Sequence, residues 1–351
     1  MQKLIETKRV IVVLGAGGVG KTSSAIALAL RGAEAGKKVA LLSIDPAKRL
    51  AAAMGLELSG KLSTVVIDKA YGFKGYLDAT MLDQKEVFDS MVIKHAPSQK
   101  IADRILIHPV YKAASTNLSG PLEYMALAKL QEIVENESYD LIVLDTPPDT
   151  HALDFLARPN VLAGFMENKV MSWMIKPFQL AGKFGLGRLL NAGEKMMGGI
   201  AKITGVASLH AFADFLVLMQ EVIEGFHRSG EKVVQTLKDK RTGFVMVSVP
   251  LENACRSTSF IADQLSQLGY SCDGLILNRC LPYAVVDAAT SSSYPEVKSF
   301  IQDRATNQTA LATRLAIDLQ KRFPTLVVQK MEEFQNDLGS VDGMINFSKK
   351  F

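Results

Sequence analysis

Short apolar runs punctuate this chain, and between them the apolar positions spread out to helical spacing. Val10–Leu14, Val39–Ile44, Leu141–Leu144, Phe244–Val249, Gly274–Leu277 and Thr325–Val328 are each four to six residues long and rich in strand formers, too short for helices. Val65–Ile67 reads as a short edge strand. Between the first two runs, Lys21 to about Ala35 has helical spacing, and Gly36 follows as a C′ residue. From about Gly75 the pattern turns helical, with Leu82, Val87, Met91, Ile101 and Ile105 recurring among charges. Gly120-Pro121 opens another helix that runs to about Glu135, with proline at its first position and Glu123 in the first turn. From Asn160 to Lys240 no strand pattern is visible, and glycines at 182, 185, 187, 198 and 199 divide the segment into several helices. Strands and helices in alternation imply an α/β fold, a parallel sheet with helices on both faces. The expected organisation is one domain over residues 1–351, with helical insertions at about 75–135 and 160–240.

The residues that follow the first strand change that picture most. Gly15-Ala16-Gly17-Gly18-Val19-Gly20-Lys21-Thr22 fits G-x-x-x-x-G-K-[ST] at every fixed position. Glycines at this spacing let backbone N–H groups turn inward around phosphate oxygens, and the helix that starts at Lys21 points its positive end at the same anion. Lys21 can reach the β and γ phosphates, and the Thr22 hydroxyl can hold Mg²⁺. The fold is thereby expected to be a P-loop nucleotide-binding core. Two carboxylates each stand at the end of a strand. Asp145 follows four apolar residues and suits a carboxylate that holds a Mg²⁺ water. Asp45 reads either as a group that positions water near the γ-phosphate or as a turn cap before Pro46.

Composition narrows the class. The chain has 351 residues, 48% of them hydrophobic, enough for a sizeable core. The formal charge is +4 without a block of like charges, so nothing points to nucleic acid. Cys255, Cys272 and Cys280 form no C-x-x-C pair; so sparse a set suits a reducing cytoplasm rather than a disulfide framework. MQKLIETKRV has no secretory apolar region. Ile203–Met219 is the most membrane-like stretch, but His210 and Asp214 interrupt it, and a buried or amphipathic helix is expected. Any membrane contact should be peripheral.

GAGGVGKTSS, then SIDPAKRL, then LDTPPDTHALDFL, together resemble the ArsA-type ATPases. This family holds arsenical-pump-driving ATPases, relatives that target tail-anchored membrane proteins, and single-domain bacterial members described as anion-transporting ATPases. FVMVSVPLENACRSTSFI and DGLILNRC extend the resemblance over nearly the whole chain. It implies ATP or ADP with Mg²⁺ as ligands. Gly17, Gly18, Val19, Gly20, Lys21, Thr22 and Ser23 would bind phosphates, with Thr22 and Asp145 at the metal. Asp45 would orient the attacking water beside Lys21 as the catalytic pair. Thr146 to His151 would form the second switch, Asn278 would read the adenine edge, and Gln329 to Met331 would line the same pocket.

The chain also departs from that family. The signature lysine of GKGGVGKT is Ala16 here, and DPAHN is Asp45-Pro46-Ala47-Lys48-Arg49. The zinc-binding C-x-x-C and an arsenite-binding cysteine set are absent. Six of the fourteen methionines lie between Met166 and Met219, among Trp173, Phe178, Phe184 and several leucines. Flexible, polarizable side chains suit an adaptable apolar groove for a protein or lipid cargo; an insertion core or a dimer face would have the same composition. The resulting expectation is a cytoplasmic, Mg²⁺-dependent ATPase acting as a dimeric switch, a homodimer or a heterodimer with a related subunit. Two alternatives are a non-hydrolysing nucleotide-binding subunit of a heterodimer, favoured by Ala16, and a targeting factor for apolar or tail-anchored cargo.

Overall fold

The computed structural model describes residues 1–44, 53–55, 60–112, 122–136, 138–147, 206–334 and 338–351. Its sheet has eight strands: β1 (Val10–Gly15), β2 (Lys38–Ser43), β3 (Ser63–Thr64), β4 (Tyr76–Met81), β5 (Leu141–Asp145), β6 (Thr242–Ser248), β7 (Gly274–Cys280) and β8 (Val327–Glu332). They lie in the order β3-β4-β2-β5-β1-β6-β7-β8, and every pairing is parallel except that of β3 with β4. β1, β5 and β6 are buried at every position. Alternate residues of a strand face opposite ways, so burial at every position requires cover on both faces.

One face carries α1 (Gln2–Thr7), α2 (Lys21–Glu34) and the C-terminal α10 (Val341–Ser348), with α2 in contact with both the others. Ile11, Val13, Leu41, Val143 and Val245 pack there with Ile26, Leu30, Met344 and Phe347. α7 (Glu252–Gln267) lies against β6 and β1 and buries Ile261, Ala262 and Leu265, while α9 (Pro295–Arg322) packs on α7. α8 (Tyr283–Thr290) packs on α9. Gly36 ends α2 as the pattern predicts, with φ 95° and its N–H bonded to the Ala33 carbonyl.

The described chain falls into two compact units, one from Met1–Leu82, Leu130–Ala157 and Gln235–Phe351, the other from Asp83–Lys129 and Arg158–Val234. The first contains the sheet. In the second, α3 (Gln84–His95) packs on α4 (Gln99–Ile107); Asp83 and Ser98 cap their N-termini by accepting from the backbone N–H three residues on. Two further helices are α5 (Leu122–Glu135) and α6 (Val206–Lys238). His95 shares a 3.0 Å hydrogen bond with Ser229 of α6.

Three expectations are corrected. Residues 76–81 are a strand, not the start of a helix. Leu77 and Ala79 enter the core while Asp78 between them accepts from Tyr139 and Thr64, an alternation that pairs the segment with β2. The edge strand is Ser63–Thr64, with Val65 adding one bond from its N–H to the Leu77 carbonyl. The last strand begins two residues later than the apolar run and extends through Glu332. Within 160–240, the described residues from 206 form one helix of 33 residues. No described helix is long and apolar enough to cross a membrane.

Candidate functional site

The parallel register brings β1, β5 and β2 to a common level at their C-terminal ends: Val13 pairs with Asp145, and Asp145 with Ser43. Carboxyl ends of parallel strands on either side of such a crossover are where ligands bind in open α/β sheets. Here β1 runs into the glycine loop, and α2 begins at Lys21 with Gly20 as its cap at φ 94°.

Two glycines of the loop are fixed by close approach. A Cβ on Gly15 would lie 2.4 Å from the Val247 carbonyl oxygen of β6. A Cβ on Gly20 would lie 2.3 Å from Asn278 Nδ2. The same Nδ2 donates to the Val19 carbonyl at 2.9 Å, so the end of β7 clamps the loop from one side. Asn278 is buried, and so is Val19. Gly17 and Gly18 at the crest of the loop are exposed, while Thr22 and Ser23 are half-buried in the first turn of α2.

Lys21 is 7% exposed, and its ammonium donates to the Ala16 carbonyl at 2.8 Å. The side chain therefore arches back over its own loop, which is where a phosphate cradled by that loop would meet it. Ala16 itself packs against the hydrophobic core. On the far side of β1, Asp145 is 1% exposed and Oδ2 accepts from the Ser43 hydroxyl at 2.8 Å. Thr146 turns back, its hydroxyl donating to the Val13 carbonyl at 2.8 Å. The structure thus brings together Gly17 to Thr22, Asp145 and Asn278. Asp45, the rest of the second switch from residue 148 to His151, and the Met-rich stretch up to residue 205 lie outside the described residues.

Gln329 and Met331 stand on β8, the third strand from β1. Met331 is buried in the core cluster that also contains Val19 and Ile276, and the Gln329 amide donates to the Lys330 carbonyl. Sequence reasoning passed over Ser43, which orients Asp145; a polar residue two before Asp45 in a buried apolar strand was the available signal. Among the described residues no cluster of three or more His, Cys, Asp and Glu could hold a metal on its own.

The three cysteines are free thiols. Cys272 is fully buried, and burial pushes its pKa up to about 12. Cys255 and Cys280 are part-buried, and burial raises both.

A parallel sheet, a glycine loop clamped between β6 and β7, a buried lysine at the helix start and an oriented carboxylate on the adjacent strand define a P-loop ATPase. The profile of the family described as Anion-transporting ATPase (ArsA_ATPase) matches residues 8–349, and the chain belongs to that family. It is 27% identical to ATPase GET3 of Malassezia globosa over 284 residues, 80% of this chain and 76% of that protein. It is 24% identical to ATPase ASNA1 homolog 2 of Paramecium tetraurelia over 339 residues, 96% of this chain and 91% of that protein.

Proposed function

We propose that this ATPase binds MgATP in the Gly15–Thr22 loop and works as a cytoplasmic, dimeric switch whose nucleotide state controls an apolar surface between Met166 and Met219. The observation that carries the nucleotide reading is the buried Lys21 ammonium folded onto the Ala16 carbonyl, one strand away from the Asp145 carboxylate held by Ser43.

Lys21 would exchange its bond to Ala16 for the β and γ phosphates, and the loop N–H groups and the start of α2 would hold the remaining negative charge. Mg²⁺, on the Thr22 hydroxyl and a water held by Asp145, would neutralise charge developing on those phosphates. Asp45 would orient the attacking water. Asn278, fixed on Val19, would face the adenine. The switch would run through the chain after Asp145, since Thr146 is tied to the strand that feeds the loop.

The cargo reading draws on the composition of that stretch, on the family resemblance of the sequence and on the need for differential binding in any switch. Hydrogen exchange over residues 166–219, compared between ADP and a non-hydrolysable ATP analogue, tests it. Different protection in the two states supports the switch; identical slow exchange ends it. A second reading, a subunit with little turnover of its own, is favoured by Ala16, whose side chain packs inward at the position of the family's signature lysine. Turnover of the purified protein together with its mass in solution separates the two.

A further inference from the structure

Among the described residues Arg279 alone, apart from glycines, has a positive φ, at 52°. It sits in a β-bulge. Leu277 pairs with Lys330, but Cys280 pairs with Glu332, so β7 carries one residue more than β8 between those pairs. A bulge residue in the left-handed region is usually glycine, because a Cβ there crowds the backbone. An arginine in that position costs conformational free energy that glycine would not. Its guanidinium makes no hydrogen bond or ion pair among the described residues and is exposed. Among the described residues that strain has no return, and residues held this way concentrate at ligand sites.

The register says which ligand. Gly15 pairs with Val247, and Val247 with Ile276, so Asn278 and Arg279 come level with the crest of the loop. Asn278 already touches the loop at Val19. In that reading the metal and the γ-phosphate would lie on the side of the oriented carboxylate, which is β5 with Asp145 turned by Ser43 of β2. β6 and β7 flank the loop on the other side, so a nucleotide whose γ-phosphate lies toward Asp145 extends its nucleoside toward β7. There the bulge presents a planar cation next to a buried amide. A guanidinium over an aromatic ring is a favourable stack.

We propose that Arg279 is a nucleoside-binding residue, held by the β7 bulge so that its guanidinium stacks on the face of the bound purine. The proposal rests on the nucleotide reading above and adds a base-recognition residue to it. Arg279→Gly removes the guanidinium and relieves the backbone. Its melting temperature should equal or exceed that of the wild type, while a merely structural arginine would lower it. By calorimetry, the affinity for ADP and ATP should fall about tenfold or more, as expected for loss of one desolvated cation–ring contact. Affinity for inorganic tripolyphosphate, which has no base, should be unchanged. Arg279→Lys keeps the charge without the plane and should lose several-fold in ADP affinity.

Equal weakening of tripolyphosphate would put the guanidinium on the phosphates and overturn the proposal. Unchanged ADP affinity in Arg279→Gly, or full affinity in Arg279→Lys, would overturn it too. A wild-type protein that binds none of the three ligands would overturn the nucleotide reading itself, and this proposal with it.

Discussion

The Ser43 hydroxyl donates to Asp145 Oδ2 at 2.8 Å, across neighbouring strands whose register sets the two residues level. Both are about 1% exposed. A buried carboxylate needs partners, and the Ser43 hydroxyl is the one that fixes which way Oδ2 turns. Ser43→Ala should destabilise the fold by about 1–3 kcal/mol in urea unfolding, the usual cost of stripping a buried polar group of a partner. It should also raise the Mg²⁺ concentration for half-maximal turnover several-fold. An unchanged Mg²⁺ dependence would mean that Asp145 is a structural residue.

Gly20 and Asn278 form a second pair. Gly20→Ala places a methyl 2.3 Å from Asn278 Nδ2 at φ 94°. The left-handed conformation alone should cost roughly 1–2 kcal/mol. Asn278 cannot move aside without giving up Val19. The double variant Gly20→Ala, Asn278→Ala should therefore be less destabilised than the sum of the singles, by about 0.5 kcal/mol or more. Strict additivity in denaturant unfolding would show that the clamp does not exist.

Asp45→Asn should leave ATP affinity close to that of the wild type and slow turnover by about two orders of magnitude, as for loss of a water-positioning group. Turnover at the wild-type rate would reduce Asp45 to a cap on the turn before Pro46.

The pH dependence of stability carries the mark of Cys272. Its thiol has a folded pKa of about 12 against an ordinary value of 9.0. The raised value means that the unfolded chain loses its proton first. Below the unfolded pKa the group costs nothing. As pH rises from the unfolded toward the folded value, stability drains away, at up to about 1.4 kcal/mol per pH unit. Cys272→Ala should flatten this alkaline decline, and in the native wild type at pH 8 the thiol should resist alkylation until the protein unfolds. Rapid alkylation of native Cys272 would contradict its burial.

The centre of the fold was legible because β1, β2, β5 and β6 are apolar at nearly every position, a pattern that a half-exposed strand cannot show. The loop was legible because its chemistry fixes both residue type and spacing. β4 was not: Tyr76 to Met81 mixes Asp78 and Thr80 with Leu77 and Ala79, and only pairing with β2 reveals which face is inward. Local spacing instead suggested the helix that begins nine residues after Gly75, at Gln84. Ser43 and Arg279 were overlooked for a related reason. One gains its meaning from a strand a hundred residues away, and the other from a bulge defined only by its partner strand.

The central claim is that the Gly15–Thr22 loop is a nucleotide site with Lys21 as its phosphate cation. Lys21 is buried on the Ala16 carbonyl, and Lys21→Ala would leave that loop without its ammonium. Calorimetric titration of ATP into the wild type and into Lys21→Ala, in Mg²⁺ and with both proteins shown to be folded, is the most direct test. The predicted result is saturable binding by the wild type and a loss of affinity of about a hundredfold or more in the variant, the scale of losing a partly buried charge-assisted contact. Equal ATP affinity in the two proteins would contradict the assignment.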